Sequence, residues 1–201
     1  MRFLNERPPY DLTYNDVFMV PSLSAVPSRL DVDLSTPDRL GTTIPVVVSN
    51  MTAVAGRRMA ETVARRGGLA VLPQDIPLDV VEQVVTWVKR RHPIFETPIT
   101  MSPADTIGDA LGLIHKRAHG IVVVVDDDQR PMGIFSESDA SGYDRFSQLQ
   151  NVMSRDIVTV SHRLGPEGIH DHLTRLRLSA APVVDDDGRL LGIMTRKGAL
   201  R

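Results

Sequence analysis

Two acidic turns, Asp126-Asp127-Asp128 and Asp185-Asp186-Asp187, are the densest groups of possible metal ligands in the chain. Carboxylates of this kind could hold magnesium, yet hairpin turns favour Asp for backbone reasons, and a solvated turn accounts for both. His170 and His172 are spaced i to i+2, which points their rings to different sides of a helix and argues against a shared metal. No metal site is expected. The chain has no cysteine, so it holds no disulfide, no thiolate metal site and no cysteine nucleophile. What does recur is a hydroxyl residue after a Gly-Ile strand end. Gly133-Ile134-Phe135-Ser136-Glu137-Ser138-Asp139 returns, altered, as Gly192-Ile193-Met194-Thr195-Arg196-Lys197-Gly198. Ser136 and Asp139 have the spacing and chemistry of a helix N-cap and its first-turn acid. In the second copy those places are taken by Thr195 and Gly198, and the carboxylate is missing.

The elements that must position these residues are themselves repeated. The offset that separates the two acidic turns also carries Gly133 onto Gly192 and Ser136 onto Thr195. Each copy reads as a short apolar strand, a tight acidic turn, and a second strand ending in Gly-Ile and a hydroxyl residue. The first strands are Ile121 to Val125, a β-branched run, and Pro182-Val183-Val184. Ahead of them lie helical patterns, with Ala110, Leu113, Ile114 and Arg117 in register with Ile169, His172, Leu173 and Leu176. A unit of this size buries little alone, so the copies should pack face to face and share a core.

Composition limits the function classes. Of 201 residues, 42% are hydrophobic and 24% charged, which is ordinary for a globular protein and leaves room for one or two domains. A formal net charge of −2 argues against a dedicated nucleic-acid surface. The basic Lys89-Arg90-Arg91 is expected to be a solvated helix end. The longest apolar runs, Ile44 to Ser49 and Ile121 to Val125, are far short of the ~20 residues that span a bilayer. Met1-Arg2-Phe3-Leu4 is followed at once by Asn5, Glu6 and Arg7, so no signal peptide opens the chain and a cytoplasmic location is expected.

Before the repeats, Leu12 to Pro21 leads through a polar, proline-spaced stretch to Ile44 through Thr52. The β-branched run from Ile44 to Ser49 predicts a strand buried on both faces, as in parallel sheets. A helix should follow, with Met59, Ala60, Val63 and Ala64 as its buried stripe and Gly67-Gly68 as its stop. Leu69 to Leu72 is a second short strand. Pro77 starts a helix with Val80, Val81, Val84, Val85 and Val88 on one side, and His92-Pro93 ends it. Trp87 should pack on this part. Two βα units begin a parallel α/β arrangement, but a closed barrel needs eight. At the other end, Gly198-Ala199-Leu200-Arg201 stops where a helix should start, which suggests truncation.

Leu12 to Pro21, Asp31 to Thr36, Ile44 to Met51 and Arg58-Met59-Ala60 resemble the N-terminal portion of the IMP dehydrogenase and GMP reductase family. Residues 98 to 201 look like the tandem cystathionine-β-synthase (CBS) pair, or Bateman module, inserted after the second barrel helix in that family. The combination is most like the actinobacterial, CBS-containing GMP reductase branch. The resemblance implies an α/β chain with an incomplete TIM-barrel segment at 1–96 and a tandem CBS module at 97–201, its copies at about 97–142 and 151–201.

It further implies that Ser49 and Met51 touch a purine nucleotide substrate, GMP or IMP, against the plainer reading that they end a strand. The Asp of the family's Ser-x-Met-Asp segment is Thr52 here, which tilts the reading toward the reductase and leaves IMP dehydrogenase as the alternative. The resemblance implies a parent enzyme that uses NADPH; the family's catalytic cysteine is absent here, so this chain alone is expected to hold no catalytic residue and no cofactor. Within the CBS pair, the resemblance makes Ser136 a phosphate contact and Asp139 a ribose contact for an effector such as ATP or GTP. Thr195 is the second phosphate contact, beside a site expected to be weak, altered or empty. Arg196 and Lys197 either meet phosphate or face solvent. A homo-oligomer, tetramer or octamer, follows by the same resemblance, with a ligand-free scaffold as the rival for the CBS pair.

Overall fold

The computed structural model describes Phe3 and residues 6–200. Of the expected helix start at 198–201, Gly198–Leu200 forms a 3-10 turn and Arg201 lies outside the described residues. The chain divides into two compact units, residues 1–45 and 46–201. In the first, the 3-10 turns Tyr14–Asp16 and Arg29–Asp31 are the regular structure. The Thr13 amide and hydroxyl both donate to Asp16 Oδ2, at 2.8 and 2.7 Å.

The second unit opens with β1 (Val47–Val48), α1 (Arg57–Arg65), β2 (Leu69–Ala70) and α2 (Leu78–Lys89), and β1 and β2 pair in parallel. Pro77 stands at the N-cap of α2, where its fixed φ suits helix entry. Gly67, at φ 84°, lets the chain leave α1, while the Gly68 amide donates to Val63 O. Three expectations are corrected here. The Ile44 to Ser49 run is not buried: only Val47–Val48 is strand and Val47 is 62% exposed, because no further strand flanks the β1–β2 pair among the described residues. The buried face of α1 is Ala60, Glu61 and Val63, with Met59 and Ala64 exposed. On α2, Val80 and Val85 are exposed, and Val81, Val84 and Val88 are half-buried.

The repeats follow. The first is β3 (Ile99–Met101), α3 (Ile107–Ile114), β4 (Ile121–Val125) and β5 (Pro131–Ser136); the second is β6 (Val160–Ser161), α4 (Gly165–Arg175), β7 (Ala180–Val184) and β8 (Leu190–Thr195). Each forms a three-stranded sheet, order β3-β4-β5 or β6-β7-β8, with the first pair parallel and the second antiparallel. Thr106 caps α3 by accepting from the Asp109 amide at 3.2 Å. The sequence register holds through the hydrogen bonds: Val122 pairs with Phe135 as Ala181 pairs with Met194, and both hairpins shift register at the same place.

Each sheet packs one face on its own helix. In the first repeat Val122, Val124 and Phe135 meet Ile107, Ala110 and Ile114, and in the second Ala181, Val183 and Met194 meet Ile169 and Leu173. The other faces meet each other, as Val123, Val125 and Ile193 form a cluster with Ile121, Ala180 and Leu190. This shared core is why the run in β4 is apolar without alternation: successive side chains point to opposite faces, and both faces are covered. The segments ahead of each repeat also cross over. Glu96 bridges to Ile193 in the second sheet, and Ser154 bridges to Ile134 in the first.

Candidate functional site

The two hydroxyl ends sit at equivalent places in the two sheets and are built differently. Ser136 closes β5 and caps the 3-10 turn Glu137–Ala140. Asp139 Oδ2 accepts from the Ser136 amide and hydroxyl, each at 2.7 Å, and the Ser136 and Ser138 hydroxyls lie 2.8 Å apart. This is a capping box. Asp139 is half-buried, and its Oδ1 has no hydrogen-bond partner among the described residues. That oxygen remains open to an external donor such as a ribose hydroxyl.

In the second copy Thr195 Oγ1 accepts from the Gly198 amide at 2.9 Å and donates to Glu96 Oε1 at 3.4 Å. The carboxylate comes from the crossing segment, not from three residues on. Arg196 and Lys197 are exposed and have no ion-pair partner among the described residues.

Ser49 and Met51 lie just beyond β1, both exposed, with the Met51 amide donating to Ser49 O at 2.8 Å. Thr52 donates to the Asp75 carboxylate, 3.3 Å from both oxygens. Thr52 also lines a cleft of about 880 Å³ between the start of α1 and the first repeat, with Arg57, Arg58, Thr62, Thr100 and Lys116. Ser49 and Met51 are not in it, and Ser136, Asp139 and Thr195 are elsewhere in the repeats. The expected substrate and effector residues therefore form separate groups.

A buried, heavily hydrogen-bonded polar cluster is one the sequence reading missed. Glu61 is 1% exposed. It accepts from Arg117 Nη1 and Nη2 at 3.0 and 3.1 Å, Arg65 Nη2 at 3.0 Å, the Thr97 hydroxyl at 2.6 Å and Trp87 Nε1 at 3.0 Å. Burial pushes this carboxyl up, but hydrogen bonds from Arg117, Thr97 and Trp87, with the Arg117 charge, outweigh it and bring it down to about 2. One carboxylate thus ties α1 and α2 to the end of α3 and the entry to the first repeat. The signal available was a Glu within the apolar face of α1, four residues before Arg65. Trp87 packs on this part as expected, with the Arg57 and Arg91 guanidiniums 4.7 and 3.6 Å from its ring centroid. Of the expected solvated basic helix end, Lys89 and Arg90 are exposed, while Arg91 is half-buried.

No group of three or more His, Asp or Glu residues that could hold a metal occurs among the described residues. No helix among them is long and apolar enough to cross a membrane.

A GMP reductase of Mycobacterium tuberculosis (strain ATCC 25618 / H37Rv) is 54% identical over 202 residues, taking in 100% of this chain and 42% of that protein. An inosine-5'-monophosphate dehydrogenase of Methanocaldococcus jannaschii is 31% identical over 192 residues, 94% of this chain and 38% of that protein. Among solved structures, GMP reductase from Trypanosoma brucei in complex with guanosine 5'-triphosphate aligns with a TM-score of 0.61 and 27% identity, over 96% of this chain and 48% of that one. The chain spans about two fifths of the length of the curated relatives it matches. The α/β fold opens with a barrel-type βα segment that does not close and continues as two copies of one three-stranded unit that share a core. With the model described as IMP dehydrogenase / GMP reductase domain matching residues 11–196, the chain belongs to the IMP dehydrogenase/GMP reductase family.

Proposed function

We propose that this chain is the N-terminal and regulatory portion of a GMP reductase, which converts GMP to IMP with oxidation of NADPH and release of ammonia. The observation that carries this reading is the 54% identity to a GMP reductase over the whole chain, against 31% to an IMP dehydrogenase. Residues 1–96 supply the first part of the barrel, with Ser49 and Met51 against the purine nucleotide substrate. Residues 97–201 are the CBS module, which binds a purine triphosphate such as ATP or GTP through Ser136, Asp139 and Thr195. Support for that role comes from the half-buried Asp139 with one open carboxylate oxygen. Binding biases the complete enzyme, a cytoplasmic homo-oligomer, by favouring one of two arrangements of the module. The hydride donor belongs to the complete enzyme. This chain has no thiol for a purine adduct, so neither adduct formation nor hydride transfer is assigned to its residues.

NADPH oxidation followed by absorbance tests the reading. The complete enzyme is expected to oxidise NADPH only when GMP is present, with ATP or GTP changing the rate, and residues 1–201 alone are expected to give none. NAD-dependent oxidation of IMP without GMP-dependent NADPH oxidation would make the parent a dehydrogenase instead. GMP-dependent oxidation by residues 1–201 alone would overturn the division of labour.

A further inference from the structure

We propose that Glu96 replaces the carboxylate missing from the second repeat, so that the chain holds two purine-nucleotide sites, the second with Glu96 as its ribose acceptor. The proposal rests on the reading of the module as a nucleotide binder and adds a residue and a stoichiometry to it. In the first repeat, a carboxylate oxygen of Asp139 lies 2.7 Å from the Ser136 hydroxyl. In the second, position 198 has no side chain, yet Thr195 Oγ1 still meets a carboxylate, Glu96 Oε1, at 3.4 Å. The hydroxyl–carboxylate pair is thus present in both copies, although its acidic half arrives by different routes.

The route is fixed by the backbone. Glu96 and Ile193 exchange both amide hydrogen bonds, each 2.8 Å, so the crossing segment is held against β8. Its counterpart in the first sheet is Ser154, paired to Ile134 at 2.9 Å in both directions, and Ser154 carries no carboxylate. Each repeat therefore has one acid at its hydroxyl: Asp139 where the crossing residue is Ser154, and Glu96 where residue 198 is glycine.

Gly198 fits this exchange sterically. A Cβ there would stand 2.7 Å from Thr195 Oγ1 and 3.5 Å from Glu96 Oε1, so any side chain at 198 would crowd the pair that Glu96 forms. Glu96 is half-buried, and its Oε2 has no hydrogen-bond partner among the described residues, as with Oδ1 of Asp139. A carboxylate with a free oxygen accepts from ribose hydroxyls, while the exposed Arg196 and Lys197 next to Thr195 supply charge for the phosphates.

Calorimetric titration of the full chain with ATP, and separately with GTP, counts the sites. Wild type is expected to bind two molecules per chain, Asp139→Ala one, Glu96→Gln one, and the double variant none. Each lost site should weaken about tenfold or more, since a charged hydrogen-bond acceptor is removed. Glu96→Gln keeps the shape of the side chain and the backbone bridge. Should it fail to fold alone, Glu96→Asp, which retains the carboxylate but draws it back from Thr195, should still weaken the site that survives in Asp139→Ala. The proposal is overturned if wild type binds a single nucleotide that Asp139→Ala abolishes and Glu96→Gln spares, or if two sites survive in Glu96→Gln. Absence of any binding by wild type instead removes the nucleotide-module reading, and this proposal with it.

Discussion

Glu61→Ala is expected to destabilise the chain by about 3–5 kcal/mol, the usual cost of leaving buried cations unpaired. In a chain of this length that corresponds to roughly 10 °C in the unfolding midpoint. Arg117 and Arg65 are the cations left behind, and the Thr97 hydroxyl and Trp87 indole lose their acceptor with them. The effect depends on pH. Because the folded carboxyl titrates at about 2, against 4.5 as its ordinary value, its contribution is fully present above about pH 4.5 and is lost as pH falls toward 2. That shift is worth about 3 kcal/mol at about 1.4 kcal/mol for each pH unit. Urea unfolding from pH 7 to 2 should therefore show wild type losing its advantage over Glu61→Ala across that window. Parallel curves for the two proteins would contradict the assignment.

Gly192→Val is expected to disrupt the second sheet. A Cβ at 192 would lie 2.6 Å from Phe95 Cβ and 2.9 Å from Glu96 O, so the crossing segment must move off β8. Overpacking of this kind costs about 1–3 kcal/mol, and the lost Glu96–Ile193 hydrogen bonds add to it. Gly112→Ala serves as the control. It lies within α3 with nothing within 4 Å of the added methyl, and should be neutral or stabilising by up to about 1 kcal/mol. Amide hydrogen exchange at residues 96 and 193 reads the mechanism. Protection should fall in Gly192→Val, whereas unchanged protection with normal stability would show that the approach is looser than described.

The repeats were legible because their physics is local and doubled. A β-branched run, an Asp turn and a Gly-Ile end recur in register, and the structure keeps that register down to the same hairpin irregularity in each copy. The shared core could be anticipated from β4, since five apolar residues in a row need two covered faces. The same rule failed at Ile44 to Ser49, where the pattern anticipates neighbouring strands that the described residues do not provide. Glu61 was passed over because the helix was read by its apolar residues, and a paired buried acid on that face looks polar in sequence. Glu96 gave no local signal at all. Its significance arises from a crossing that brings it beside Thr195, 99 positions along the chain.

Thermal unfolding of the chain with ATP, GTP, GMP and IMP in turn, beside Asp139→Ala, tests the regulatory reading most directly. A nucleotide at 100 times its dissociation constant adds about 2.7 kcal/mol for each occupied site, enough for several degrees. The account predicts a rise in midpoint with a purine triphosphate, and a ligand-induced rise in Asp139→Ala smaller by half or more. No rise with any purine nucleotide, or a full rise in the variant, would contradict it.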